Sequence, residues 1–237
     1  MQKDNTVELL EFGGGDKSHA LTAWASTFFE LELDMPEDIH MRVDKIVEYI
    51  LANSKRIRNV EQLLQYLAAE GHTSPFRASF LMYGITNDIA THIHLLTHKV
   101  AIPVNNGESA RYKVIKDNKY YIPYDWENTP MGKLWANKLR VISEQNNQLY
   151  LQCYEDLVAD GMSKARAKET ARYFKMYNSQ MNTVKCLNFD GLMQVYAKRN
   201  LKTASQREVA RVVEDMVQCV REIPGNPFEY SLKAFNL

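Results

Sequence analysis

GHTSPFRASFLMYGITNDIATHIHLLTHKVAIPVNNGESARY, residues 71–112, carries the alternation on which the fold turns. Gly71 and His72–Pro75 read as a loop, punctuated by glycine and proline. Phe76–Ile85 is an apolar run of strand length. Asn87 or Asp88 then offers a side-chain oxygen to cap a helix running through Ile89, Ile93, Leu96 and His98. Ala101–Ser109 holds Pro103, Asn105, Asn106 and Gly107 and reads as a loop.

Upstream, Val7–Phe12 is a short strand that stops at Gly13-Gly14-Gly15. Asp16–Leu33 has Leu21, Trp24, Ala25, Phe28 and Phe29 at helical spacing. Pro36 opens a second helix with Ile46, Ile50 and Leu51 inward. Asn59 with Gln62 resembles a capping pair before Leu63, Leu64, Tyr66 and Leu67, and that helix ends at Gly71. Downstream, Lys119–Pro123 is a short strand or turn. Met131–Asp160 is a long amphipathic helix, and Ser163–Arg172 is another. Tyr173–Asn188 lacks Gly and Pro and carries β-branched and aromatic residues, so it reads as an extended strand. Asp190 starts a helix to Lys198. Ser205 with Glu208 forms a capping box for a helix to Arg221. Pro224–Pro227 breaks it, and a short final helix follows. The pattern predicts an α/β (α+β) fold, helix-rich, with a central mixed or antiparallel sheet, as a single domain over residues 1–237.

The chain is 45 % hydrophobic, enough for an ordinary core, and its 29 basic residues balance 29 acidic ones. That balance supplies no bulk attraction to nucleic acid or membrane, while leaving room for a local basic pocket. Cys153, Cys186 and Cys219 are odd in number and widely spaced, against a disulfide framework. No CxxC pair points to structural zinc. The start lacks a signal-peptide pattern, and no apolar run reaches spanning length. A cytoplasmic protein is expected.

Three segments resemble the flavin-dependent (alternative) thymidylate synthase family. They are VELLEFGGGD with LTAWAS, residues 71–112 with KYYIP, and ARYFKMYNSQMNTVKCLNFDGLMQVYAKRN with SQREVAR. They occur in family order and cover most of the chain. Several positions depart from the family pattern RHRxxSxNExSxR. Thr97 and Lys99 stand where it has arginines, around His98, the loop to Glu108-Ser109-Ala110-Arg111 is about two residues longer, and the pattern's Glu is displaced to Glu108 or replaced by Gly107. Arg77-Ala78 replaces Glu-His after GHTSPF. His94 replaces a glutamine. Asn188-Phe189-Asp190 replaces Asn-x-Arg.

The resemblance implies reductive methylation of dUMP to dTMP. Methylenetetrahydrofolate would give the carbon, FAD the hydride, and NADPH would recharge the flavin in a homotetramer. C5 of uracil is a weak nucleophile, and two routes can activate it. A thiolate can add to C6, for which Cys186 beside Lys185 is the one candidate; its other reading is a small buried core residue. Alternatively, a fixed cation can polarise the ring. The resemblance puts Arg199 in that catalytic role; its plain reading is a cation favoured near a helix C-terminus. For the nucleotide it implies His94, the phosphate loop Glu108, Ser109, Ala110 and Arg111, and Arg172. For FAD it implies Ser74, Thr97, His98, Lys99, Asn188, Asp190 and Gln194. Asp190 would repel a pyrophosphate unless it turns away or caps its helix.

Other readings stay open. His92, His94 and His98, with Asp88 a turn back, suggest a metal site, although no metal is expected. Gly13–Gly15 before Asp16-Lys17-Ser18 fits neither nucleotide fingerprint and reads as a turn. The departures allow a different base such as dCMP, or hydroxymethylation as the outcome. They also allow a nucleotide-binding homologue without flavin chemistry.

Overall fold

In the computed structural model, which describes residues 1–27, 33–54 and 58–237, the apolar run after Asn5 forms strand β1 (Thr6–Gly14). Gly15 follows with φ 143°, and a Cβ there would lie 2.6 Å from the Pro227 carbonyl oxygen. That oxygen accepts from Asp16 N at 2.7 Å, so only glycine lets the two backbones close up. Helix α1 (Asp16–Trp24) starts here and is shorter than its periodicity predicts. Ala25 is exposed, and Phe28 and Phe29 lie outside the described residues. Pro36 does not open the next helix. A 3-10 turn, Ile39–Met41, capped by Asp38, leads instead into α2 (Arg42–Asn53). Val47 and Ile50 are buried there, but Leu51 points outward, because it lies beyond the edge of that apolar stripe. The Asn59–Gln62 capping box is present on α3 (Val60–Ala69), with Leu63, Leu64 and Leu67 buried and Tyr66 exposed.

Strand β2 (Ser79–Asp88) begins later than predicted, because Ser74–Arg77, with Pro75, coils into a 3-10 turn. Asp88 is the cap of α4 (Ile89–Leu96), accepting from Thr91 N at 2.8 Å. This helix stops before His98, so His94 and His98 do not share it. The predicted loop contains a short strand, β3 (Val104–Gly107). Within the stretch read as strand or turn, Tyr120 makes isolated bridges to Gln2 and Ser179 without forming a longer strand. Helix α5 (Pro130–Ala159) is capped by Thr129, and α6 (Lys164–Ala171) by Ser163. The extended segment predicted from Tyr173 is strand β4 only over Gln180–Leu187, after a 3-10 turn at Arg172–Phe174. Helices α7 (Phe189–Lys198), α8 (Arg207–Arg221) and α9 (Glu229–Ala234) complete the chain. Gln206, not Ser205, precedes α8, and among the described residues no side-chain cap hydrogen bond forms there. The strands form one antiparallel sheet in the order β1-β2-β4-β3.

Two compact units are assembled from non-contiguous segments. The first comprises Met1–Val7, Gly84–Thr97 and Asn105–Val184. Within it α5 buries Ala136, Ser143, Asn147 and Tyr150 along one stripe. Tyr120, Ile122 and Ala136 form an apolar cluster backed by Leu139. The second unit comprises Glu8–Tyr83, His98–Val104 and Lys185–Leu237. Here α8 buries seven residues from Val209 to Val220 on one face. His19, Phe76, Phe189, Phe228 and Phe235 stack around one another, with Phe189 and Phe228 parallel at 5.6 Å.

Candidate functional site

The residues singled out from the sequence divide between the two units. His94, Thr97, Glu108, Ser109, Ala110, Arg111 and Arg172 belong to the first. Ser74, His98, Lys99, Asn188, Asp190, Gln194 and Arg199 belong to the second.

In the first unit, the chain leaving β3 is pinned to β4. Glu108 N donates to the Asn182 carbonyl at 2.9 Å, and Glu108 Oε2 accepts from Asn182 N at 2.8 Å. Lys113 donates to the other carboxylate oxygen. Burial alone would raise the Glu108 pKa, but these donors outweigh it and hold the carboxyl below its usual range. Ser109 makes a tight turn: its hydroxyl accepts from Arg111 N at 3.3 Å, and its carbonyl from Tyr112 N at 3.0 Å. Ala110 is buried beneath that turn.

Arg111 Nε donates to Glu169 Oε1 at 3.0 Å, and Arg166 approaches the other oxygen at 3.5 Å. The Arg111 bond chiefly lowers the Glu169 pKa. This ties the phosphate-loop candidate to α6, whose C-cap is the exposed Arg172. Glu169 was not singled out in the sequence, where it reads as one more charge on a charged helix. His94 is half-buried on α4. Its carbonyl accepts the Thr97 hydroxyl at 2.7 Å, so that hydroxyl proton is turned back on its own helix. Among the described residues, no three His, Cys, Asp or Glu side chains are grouped to hold a metal ion.

In the second unit, Arg199 sits at the C-cap of α7, half-buried. Its Nε donates to His98 Nε2 at 3.2 Å, and its Nη1 to the Lys198 carbonyl at 3.3 Å. His98 Nε2 is therefore an acceptor and carries no proton. Two residues 101 positions apart in sequence, predicted for ring polarisation and for flavin binding, are thus in direct contact. Lys99 next to them is exposed.

At the other end of α7, Asn188 is the cap, accepting from Gly191 N at 2.8 Å. Asp190 is not the cap. Its carboxylate is buried inside the first turn, where one oxygen accepts from both Arg77 Nε at 2.8 Å and Gln194 Nε2 at 2.9 Å. Ser74 is exposed at the start of the 3-10 turn that presents Arg77. The sequence did carry a signal for this pair: positions 77 and 190 both depart from the family pattern, with opposite charge. A Cβ on Gly191 would lie 2.3 Å from the Ala101 carbonyl oxygen, so α7 and the 98–104 segment approach at a distance only glycine permits.

The cysteine route fares differently. Cys186 is half-buried on β4, and burial pushes its thiol pKa up. Lys185, its supposed cationic neighbour, is fully buried, and burial lowers its pKa to about 8. Successive strand residues face opposite sides of a sheet, so the ammonium cannot lower the adjacent thiol through contact.

Residues 21–224 match the model of the family described as thymidylate synthase complementing protein. The chain belongs to that family. Its flavin-dependent thymidylate synthase relative from Streptomyces avermitilis is 24 % identical over 230 residues, covering 91 % of this chain and 85 % of the relative. A UMP/dUMP methylase, PolB from Streptomyces cacaoi, solved with 5-Br dUMP, superposes with a TM-score of 0.73 at 20 % identity, over 99 % of this chain and 96 % of that one. The same methylase solved with 5-Br UMP gives 0.70 at 19 % identity over the same shares. This member of the thymidylate synthase complementing protein family therefore shares the methylase fold.

Proposed function

We propose that the chain is a flavin-dependent enzyme that methylates C5 of a pyrimidine nucleotide. The specific reaction is dUMP to dTMP, with methylenetetrahydrofolate as carbon donor and NADPH as reductant. The proposal treats residues 1–237 as one such domain, acting as a homotetramer. Family membership and the names of the relatives support the class of reaction. The observation that carries the reading to residues is the Arg199–His98 contact. A guanidinium is charged at any working pH, and a neutral imidazole holding its Nε fixes the direction of the fork. The rest of that fork can stabilise negative charge developing on a pyrimidine ring. Activation by Cys186 is disfavoured by its raised pKa.

The residues present fit a flavin dinucleotide by donor chemistry. The second unit offers guanidinium groups at Arg77 and Arg199, the Lys99 ammonium and the Ser74 hydroxyl, all at least partly exposed. These are the donors a pyrophosphate and a reduced ring call for. When bound, the flavin supplies the hydride. In the first unit, Ser109 and Arg111 form the turn proposed to hold the nucleotide phosphate, and Arg172 follows at the end of α6. The departures at His94, Thr97, Ala78 and Asp190 favour a second reading within the same chemistry: another pyrimidine nucleotide such as dCMP, or a hydroxymethyl product.

Two measurements test this. Purified protein should absorb at about 450 nm, or gain that band on adding FAD, as flavoproteins do. Tritium release from C5 should then be faster with dUMP than with UMP or dCMP. Preference for dCMP selects the second reading, and protein that cannot take up FAD points to a non-catalytic nucleotide-binding homologue.

A further inference from the structure

Asp190 poses a problem for the flavin reading, since a carboxylate at a phosphate-binding position repels its ligand. We infer that the positive charge has moved across an ion pair, and that Arg77 is the cation that binds the pyrophosphate of FAD. This inference rests on the flavin reading above.

The Asp190 side chain is 3 % exposed, whereas that of Arg77 is 59 % exposed. The anion thus faces inward and the cation outward. Arg77 spends only Nε on the pair, and among the described residues its guanidinium makes no other hydrogen bond. Its two Nη groups remain available, in a plane set by the bond to Asp190. Gln194 fixes the same carboxylate oxygen from one turn further along α7, so Asp190 cannot swing out to meet a ligand. A carboxylate in the first turn of a helix is also favoured by the backbone N–H groups there.

The turn carrying Arg77 is equally fixed. Phe76 is fully buried, 6.1 Å from Phe189 and 5.0 Å from Phe235 between ring centroids. Phe189 directly precedes Asp190. The Ser79 hydroxyl accepts from Phe189 N at 3.2 Å. Both partners of the ion pair therefore stand on backbone locked by one aromatic cluster, so Arg77 is preorganised rather than recruited. The family pattern puts Glu at position 77 and Arg at position 190. In this chain the buried position 190 carries the anion and the exposed position 77 the cation, so the guanidinium is the partner that reaches solvent.

The test is equilibrium binding of FAD and of riboflavin, which lacks the pyrophosphate, followed by flavin fluorescence. Arg77→Gln should weaken FAD binding about tenfold or more, the loss of one or two charge-assisted hydrogen bonds, and leave riboflavin binding unchanged. Because that variant strands a buried carboxylate, the double variant R77Q/D190N serves as the control without one. It should fold, and show the same selective loss of FAD. The exchange R77E/D190R, which buries the guanidinium and turns a carboxylate outward, should not recover FAD binding, and wild-type FAD affinity in it would overturn the inference. If R77Q/D190N is folded and binds FAD like the wild type, Arg77 is only the counter-ion of Asp190 and the inference fails. If the wild type itself binds neither flavin, the flavin reading falls and takes this inference with it.

Discussion

Mild acid should destabilise the protein through His19. Its ring is fully buried, with the rings of Phe76, Phe189 and Phe228 at 5.3, 5.6 and 5.8 Å. The Ser231 hydroxyl gives its proton to Asp16 Oδ1 at 2.6 Å, so it can only accept from His19 Nδ1, 2.9 Å away. The other ring nitrogen, Nε2, then has no proton and no partner among the described residues. Protonating it would place a cation among phenylalanines, and burial accordingly lowers the pKa from 6.5 to about 4. The unfolded chain takes up this proton near 6.5, the folded one only near 4. Between those values the unfolded state holds more protons, so stability falls as the pH falls, by up to about 1.4 kcal/mol per pH unit. The gap of about 2.5 pH units corresponds to about 3 kcal/mol, a large share of typical domain stability. Asp16 acts with the opposite sign. Burial raises its pKa, so the folded state protonates first and regains some stability at the acid end of the window. Urea denaturation of the wild type and of His19→Leu, at about pH 7.5 and about pH 4, reads the difference. The variant should lose about 1 kcal/mol at the higher pH, for the bond to Ser231. It should then lose about 3 kcal/mol less than the wild type on acidification. Equal losses in both proteins would refute the assignment of the acid sensitivity to His19.

Arg111→Ala should leave stability within about 1 kcal/mol, since its pair with Glu169 is exposed, yet weaken nucleotide binding about tenfold in a titration. Arg199→Ala should lower turnover about a hundredfold with nucleotide affinity little changed. Wild-type kinetics and binding in both variants would dissolve the site assignment. Gly191→Ala sets a gain in helix propensity of about 1 kcal/mol against a Cβ 2.3 Å from the Ala101 carbonyl. Because that neighbour is backbone, the contact should win, lowering the urea-derived stability by about 1–3 kcal/mol. A more stable variant would mean that the 98–104 segment yields easily.

Local signals were legible where the cause is local. The capping pair Asn59–Gln62, the Asp88 cap and the long helix beginning at Pro130 each depend on residues within a turn or two. Boundaries are not legible where a distant partner decides them. Nothing near Asn105 announces a strand; β3 exists because β4 supplies its hydrogen bonds from far along the chain. The run from Tyr173 has strand-forming residues throughout, yet it is a continuous strand only from Gln180.

The sequence by itself determined the family, the helix-rich α+β character and most residue types of the candidate site. Those follow from motif order and periodicity, which are properties of the chain. Only the tertiary structure decided what the departures mean. It buried the Asp190 carboxylate under an exposed Arg77, set Arg199 against His98 and bound Arg111 to Glu169. The physical reason is that charge acts through distance and desolvation, and neither quantity exists until residues remote in sequence are brought together.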